Sequence, residues 1–341
     1  MAVPIATRKV GSTEISVSEF GFGTAPLGDL FTTLTEDEAQ TILQTAWDNG
    51  VRYYDTAPFY GYTKSEHRLG WFLRQQKRNE FVVSTKIGRI FQAIPSTENF
   101  KPEFWSAPMP FDLHFDYSYD GVMRSWEDSL QRMGLNKVDM LLIHDLDIWF
   151  NKTEQRVHYW LSQLYTSGWR ALEELKSSGQ IGAIGAGINE NGMISRFLET
   201  VPVDFFIVAL PYTLLDQDVL DDEFPLCQEH GSGVVIGAPF ASGILATGPV
   251  KGANYKYAPA TPEILEKTGA IESICKSHGV TLRAAALQFV LQHPIVAAII
   301  PGAIQKDHVT SNIADYRCNI PPDLWTELKS EHLIRADAPT P

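Results

Sequence analysis

Short runs rich in Val, Ile, Leu and Phe recur along the chain, separated by longer stretches in which apolar positions return with helical spacing. Eight such runs, at residues 18–23, 52–55, 81–86, 138–144, 181–187, 204–210, 233–238 and 296–300, read as strands. They are apolar rather than alternating, the pattern of parallel strands buried on both faces. Helical spacing marks residues 35–50, where Thr35 and Glu38 stand as a capping box. It marks residues 65–75, 119–134, 168–179, 191–200, 262–279 and 283–293 as well. Strand then helix, eight times over, predicts an α/β chain folded as a single (β/α)8 TIM barrel over residues 1–341. Residues 8–17 carry Gly-Ser-Thr between two short strand-like arms, which predicts a hairpin capping one end of the barrel. Two connections, 88–119 and 145–168, are long; both follow strands, so both belong at the face where barrel enzymes keep their sites.

Composition narrows the picture. At 341 residues and 44% hydrophobic content the chain can fill one large core or two ordinary ones, so the barrel pattern has to choose. A formal charge of −13, with no Lys/Arg run, argues against nucleic acid as a partner. The N-terminus has no basic segment followed by a long apolar one, and nowhere do about 18 apolar residues run together. The expectation is a cytoplasmic protein with no membrane partner; its oligomeric state stays open. Cys227, Cys275 and Cys318 are far apart and in no metal-ligand spacing, which predicts buried or inert thiols. Asn151, Lys152 and Thr153 form a glycosylation sequon by chance in a protein of that compartment.

The stretch RYYDTAPFYG, residues 52–61, places Asp55 at the end of a strand and Tyr60 five residues beyond it. Read alone, it is first an Asp capping a turn beside a packed Tyr, and the rest of the chain has to move that reading. Lys86 ends the third strand and His144 the fourth, and neighbouring strand ends of a barrel converge. A buried lysine needs a partner, which Asp55 supplies. A nearby ammonium favours a phenolate, and lowering a tyrosine by about 3 units takes roughly 4 kcal/mol. A neutral His144 donates a hydrogen bond to a substrate oxygen. With no activated Ser or Cys, no metal triad and no carboxylate pair, the set points to proton transfer at a carbonyl or alcohol, with a nicotinamide carrying the hydride. GFGTAPLG (21–28) and GAIGAG (182–187) lack the third glycine of the dinucleotide fingerprint, so no Rossmann domain is predicted.

With Asp55, Tyr60, Lys86 and His144 together, the chain resembles the aldo-keto reductase superfamily from residue 8 to about residue 330. DTAPFYG, STK and LLIHD match its catalytic motifs residue by residue. The resemblance implies that Tyr60 is the general acid/base, that Lys86 and Asp55 tune it, and that His144 positions the reacting oxygen. It implies a coenzyme held by Gly23, Thr24, Asp55, Asn189, Tyr212, Pro239, Ser242, Gly243, Gly302, Ala303, His308 and Asn312, with Tyr212 stacking on the nicotinamide. Ser-Asn after the fifth strand is replaced by Gly187, Ile188 and Asn189, and the Gln after the sixth by Ala209. The Lys and Arg that hold a 2′-phosphate are replaced by Gly302 and His308, although Lys306 is close in sequence. NAD is therefore favoured over NADP, and the helix after Pro301 offers its N-terminal amides to the pyrophosphate.

FDYSYDG (115–121), the aromatic insertion before it and GAGINE resemble a narrower branch, the aldose dehydrogenases acting on D-threo-aldoses, L-fucose or L-galactose and the related pyridoxal 4-dehydrogenases. That implies a small-molecule substrate, an aldose or pyridoxal hemiacetal oxidised to a lactone. Two other readings stay open: a general NADPH-dependent aldehyde or ketone reductase, and a cofactor-binding regulatory subunit with slow turnover. Phe59, Trp105, Phe111, His114, Trp149 and Phe150 are candidates, with His144, to wall the substrate pocket; equally, the aromatics of the two long connections form a minicore holding those loops down.

Overall fold

The computed structural model describes residues 4–98, 100, 102 and 104–341. The eight strands are β1 (Phe22–Gly23), β2 (Tyr53–Asp55), β3 (Val82–Ile87), β4 (Met140–His144), β5 (Ala183–Ile188), β6 (Phe205–Val208), β7 (Gly233–Ile236) and β8 (Val296–Ile299). They pair in chain order as one parallel sheet. The sheet closes where Phe20 bridges Ile299 in parallel, the Gly21 amide donating to the Ile299 carbonyl at 2.8 Å. The predicted (β/α)8 barrel is the observed fold.

Side chains on a strand alternate between faces, so every second residue points into the barrel. Tyr53, Met140, Leu142, Ala183, Phe205, Ile207, Val235 and Ala298 form one inner core. A separate outer core fills the layer between sheet and helices and takes the neighbouring positions, among them Tyr54, Val83, Leu141 and Ile143. This alternation decides the site: continuing the inward rows to the strand ends reaches Asp55 on β2, Lys86 on β3 and His144 on β4.

At the opposite end, Thr7–Lys9 and Ser16–Ser18 pair antiparallel, and Val10 and Val17 of that hairpin join the inner core. The capping box of the first helix, α1 (Glu36–Asp48), is formed, with Thr35 and Glu38 each bonding the other's backbone. Helix α2 (Lys64–Leu73) follows β2 and α3 (Tyr119–Met133) precedes β4.

The long connections are more structured than expected. Residues 88–119 contain a hairpin, Arg89–Ala93 against Phe111–Phe115. Residues 145–168 hold two helices, Ile148–Asn151 and Glu154–Gln163, the second running through a π turn into Trp169–Ser177. Helices Glu223–His230 and Pro322–Ser330 also lie outside the expected set. Each has a proline in its first turn, where no amide has an intrahelical partner, so the proline costs the helix no hydrogen bond. Cys318 corrects the expectation of buried thiols: it is exposed, whereas Cys227 and Cys275 are buried.

Asp29 anchors the loops around the mouth. Its carboxylate pairs with Arg68 at 2.7 Å and Lys64 at 2.8 Å, and its carbonyl accepts from the Ser106 amide at 2.9 Å. Beside it, Gly28 and Gly61 cross backbone to backbone: a Cβ on Gly28 would stand 2.5 Å from the Gly61 nitrogen. Gly61 is itself left-handed, with φ 65°. Gly61→Ala is therefore expected to lower stability by about 2 kcal/mol or more, read as a fall in the urea midpoint, and to displace the adjacent Tyr60.

Candidate active site

Inward alternation, plus the turn of residues 56–63, assembles four side chains at the mouth. Lys86 Nζ donates to Asp55 Oδ2 at 2.7 Å, to the Thr56 carbonyl at 2.9 Å and to Tyr60 Oη at 3.1 Å. The second carboxylate oxygen of Asp55 accepts from Ser84 Oγ at 2.7 Å, one inward position below Lys86. The His144 ring lies 5.7 Å from the Tyr60 ring, edge to face. Asp55, Lys86 and His144 are buried, and Tyr60 is half-buried on the wall of an open groove.

Burial sets the protonation states. Desolvation raises the Asp55 carboxyl above its usual range despite the lysine on one oxygen and the Ser84 hydroxyl on the other. The Tyr60 phenol is pushed well above its ordinary value, first by desolvation, then by the negative charges of Asp55 and Asp145; the Arg89 guanidinium opposes this. The depression of Tyr60 expected from Lys86 is outweighed, because the phenol has lost its water and faces two carboxylates. Tyr60 stands as a neutral phenol. His144 is held well below its ordinary value by burial and by the cations Arg89 and Lys86, and is a neutral imidazole.

The groove, about 470 Å³, runs from this cluster across the ends of the other strands to Gly302. Gly23, Asn189, Pro239, Ser242, Gly243 and Gly302 of the expected coenzyme set line it, as do Phe59, Trp105, Trp149 and Phe150 of the aromatic set. Its floor is small-residue backbone: Gly187, Ala209, Gly237 and Ala238. A Cβ on Gly243 would meet nothing within 4 Å and so faces open space, whereas one on Gly187 would make ordinary van der Waals contact at 3.8 Å. A flat ring with its ribose and phosphates fits such a floor.

Other expected residues are placed elsewhere. Tyr212 is buried outside the groove, its ring against Phe224, Phe289 and His293, so it does not offer a stacking face. Thr24 is buried and spends its hydroxyl on the Asp55 carbonyl. Ala303 and Asn312 are buried and His308 is exposed, none of them on the groove wall. Phe111 and His114 sit on the insertion's hairpin away from the groove; His114 is partly exposed and pairs with Asp112. Asn151 of the sequon is buried, its amide donating to the Asp147 and Asp145 carbonyls at 3.0 and 3.4 Å, so it pins the loop after His144.

Two residues of the site have no role in the sequence reading. Asp145, in left-handed backbone at φ 42°, lines the groove; its Oδ1 accepts from the Asn189 amide at 2.9 Å, and burial lifts its carboxyl to about 6. Arg89 is buried behind it, 3.2 Å from Asp145 Oδ2. A charged residue directly after the His144 motif was the visible signal for the first. A lone arginine after STKIG carried none, since its partners come from three other segments.

Comparison with known proteins agrees with this geometry. The model of the Aldo/keto reductase family matches residues 19–331. The chain is 39% identical to pyridoxal 4-dehydrogenase of Microbacterium luteolum, over 96% of this chain and 97% of that one. It is 35% identical to D-threo-aldose 1-dehydrogenase of a Pseudomonas species, over 96% of each, and 30% identical to L-galactose dehydrogenase of Arabidopsis thaliana, over 91% and 88%. Among solved structures, an aldo-keto reductase of Bacillus halodurans superposes with a TM-score of 0.74 at 24% identity, covering 98% of both chains. The chain therefore belongs to the aldo/keto reductase family, and is an oxidoreductase dependent on a nicotinamide coenzyme.

Proposed function

We propose that this protein oxidises the cyclic hemiacetal of an aldose such as L-fucose, D-arabinose or L-galactose to its lactone, with NAD as hydride acceptor. The observation that carries the reading is the tetrad at the head of an aromatic groove, with Lys86 bridging Asp55 and Tyr60 beside a neutral His144. Gly23, Asn189, Pro239, Ser242, Gly243 and Gly302 would hold the coenzyme. When bound, it supplies the acceptor for the hydride leaving the hemiacetal carbon.

The chain's own groups handle the proton. Tyr60 Oη takes the hydrogen of the hemiacetal hydroxyl as the carbon–oxygen bond becomes a carbonyl, and His144 holds that same oxygen in line. Lys86 stabilises the phenolate that must form first, and Asp55 keeps the ammonium at 2.7 Å rather than letting it swing into the groove. Asp145, on the groove wall, adds an acceptor for another hydroxyl of a sugar. Phe59, Trp149 and Phe150 give apolar faces for its ring.

A second reading is supported by the relative acting on pyridoxal: those aromatic walls would also take a pyridine, whose hemiacetal oxidises in the same way. Initial rates of NAD reduction with L-fucose, D-arabinose, L-galactose and pyridoxal, compared side by side, separate the two. A protein inert on all four that still reduces aldehydes with NADPH would refute both. The enzyme proposed is cytoplasmic; no helix among the described residues is long and apolar enough to cross a membrane.

Preference for NAD rests on what surrounds the far end of the groove. A Cβ on Gly302 would stand 2.6 Å from the Pro26 ring, so a lysine there needs Pro26 to move. NADP is expected to be used at least about tenfold less efficiently than NAD, and His308→Arg to narrow that gap, as measured by kcat/KM for each coenzyme.

Tyr60→Phe is expected to cut turnover about a thousandfold while coenzyme affinity, from quenching of protein fluorescence, stays within about twofold. Because the Tyr60 phenol is raised and must be ionised to act as a base, oxidation is expected to accelerate with pH. Its kcat/KM should climb about tenfold per unit from neutrality upward, and a flat profile there would remove Tyr60 from the role.

A further inference from the structure

We propose that Arg89 is a positioning residue for the reaction, its guanidinium holding His144 in the tautomer that carries the proton on Nε2. The proposal rests on the reading of His144 as donor to the substrate oxygen and adds what fixes that donor. Arg89 follows Gly88, whose left-handed φ of 99° turns the chain out of β3, and its side chain is buried with 1% exposed. The guanidinium carbon lies 4.1 Å from the centre of the Phe59 ring and 4.5 Å from that of Phe150, with Phe115 at 5.6 Å. This cage orients the planar cation without supplying a hydrogen-bond acceptor.

Two contacts then settle the imidazole. Arg89 Nη1 is 3.4 Å from His144 Nδ1, and a guanidinium has no acceptor, so it donates and Nδ1 must carry the lone pair. A neutral ring with its lone pair on Nδ1 carries its hydrogen on Nε2, and that edge stands 3.2 Å from Asp145 Oδ2. The opposite tautomer would set N–H against N–H at one edge and lone pair against carboxylate at the other. Asp145 lines the groove and Arg89 does not, so the protonated edge is the one that a substrate oxygen reaches. Arg89 Nη2 also pairs with Asp145 Oδ2 at 3.2 Å, which keeps that carboxylate beside the imidazole rather than free in the groove.

The surroundings exclude a third state. His144 faces the cations Lys86 and Arg89, the Asp145 carboxylate and the Tyr60 phenol, while its carbonyl accepts from Tyr117 Oη at 3.0 Å. Two cations near a buried ring disfavour imidazolium, and a ring that stays neutral keeps a single orientation through the catalytic cycle.

The direct test is a long-range proton–nitrogen NMR spectrum of the full chain labelled with ¹⁵N-histidine, His144 being assigned by its loss in His144→Gln. The expected pattern is neutral imidazole protonated on Nε2, unchanged between about pH 5 and 8. A ring protonated on Nδ1, or one that titrates in that range, would overturn the proposal. That spectrum needs neither substrate nor a folded Arg89 variant, so it fails or succeeds independently of the lactone-forming assignment.

Arg89→Met, which keeps the apolar stem in the cage, should give mixed tautomers and a His144 that begins to titrate. Its kcat should fall more than about tenfold with coenzyme affinity unchanged, and Arg89→Lys should restore part of both. An Arg89→Met protein with pure Nε2–H and full kcat would show that Arg89 only fills space.

Discussion

One buried ammonium organises this molecule. Lys86 reaches the barrel mouth because β3 points every second side chain inward, and once there it has no water to solvate it. Its three hydrogen bonds are drawn from the turn after β2: a carboxylate, a carbonyl and the Tyr60 hydroxyl. Asp55, in turn, is ionised in a place that penalises it, as the upward push on its carboxyl shows. A buried pair of this kind is weak evidence for stability. Its return is positional, since the lysine cannot be satisfied without fixing Tyr60.

The same logic explains the second cation. Arg89 sits 3.2 Å from Asp145 and between two aromatic faces, so the site holds two cations and two carboxylates in a mostly apolar shell. Each cation has its own hydrogen-bond partner, Lys86 the phenol that exchanges the proton and Arg89 the imidazole that holds the oxygen. Their charges are shared: Arg89 also favours the phenolate, and both cations hold the imidazole neutral.

The barrel and its mouth were legible in the sequence because both depend on short-range rules. Strand period, strand ends and a capping box are local, and Asp55, Lys86 and His144 are each the last inward residue of a run. The misplaced residues depend on distant partners. Tyr212 reads like a stacking aromatic four residues past β6, but Phe224, Phe289 and His293 offer it a closed apolar site that the open groove does not. Asn151 reads as a sequon because only the fold reveals the two carbonyls it bonds. Helices Glu223–His230 and Pro322–Ser330 each carry a proline in the first turn, and whether a proline opens a helix or ends one depends on its place in the turn, which the fold sets.

The electrostatics also bear on which direction of reaction the site favours. A neutral phenol is ready to give a proton, which suits reduction of a carbonyl; oxidation needs the phenolate. In the protein alone, Asp55 and Asp145 both oppose that phenolate, and only Arg89 is resolved as favouring it. A substrate hydroxyl donating to Asp145 would spread that negative charge and weaken one of the two objections. An oxidised nicotinamide carries positive charge and would favour the phenolate further, by the rule that an opposite charge stabilises the ionised form. The site thus makes base strength conditional on being filled. A polyhydroxy hemiacetal satisfies that condition better than a simple aldehyde, which has no hydroxyl to offer Asp145.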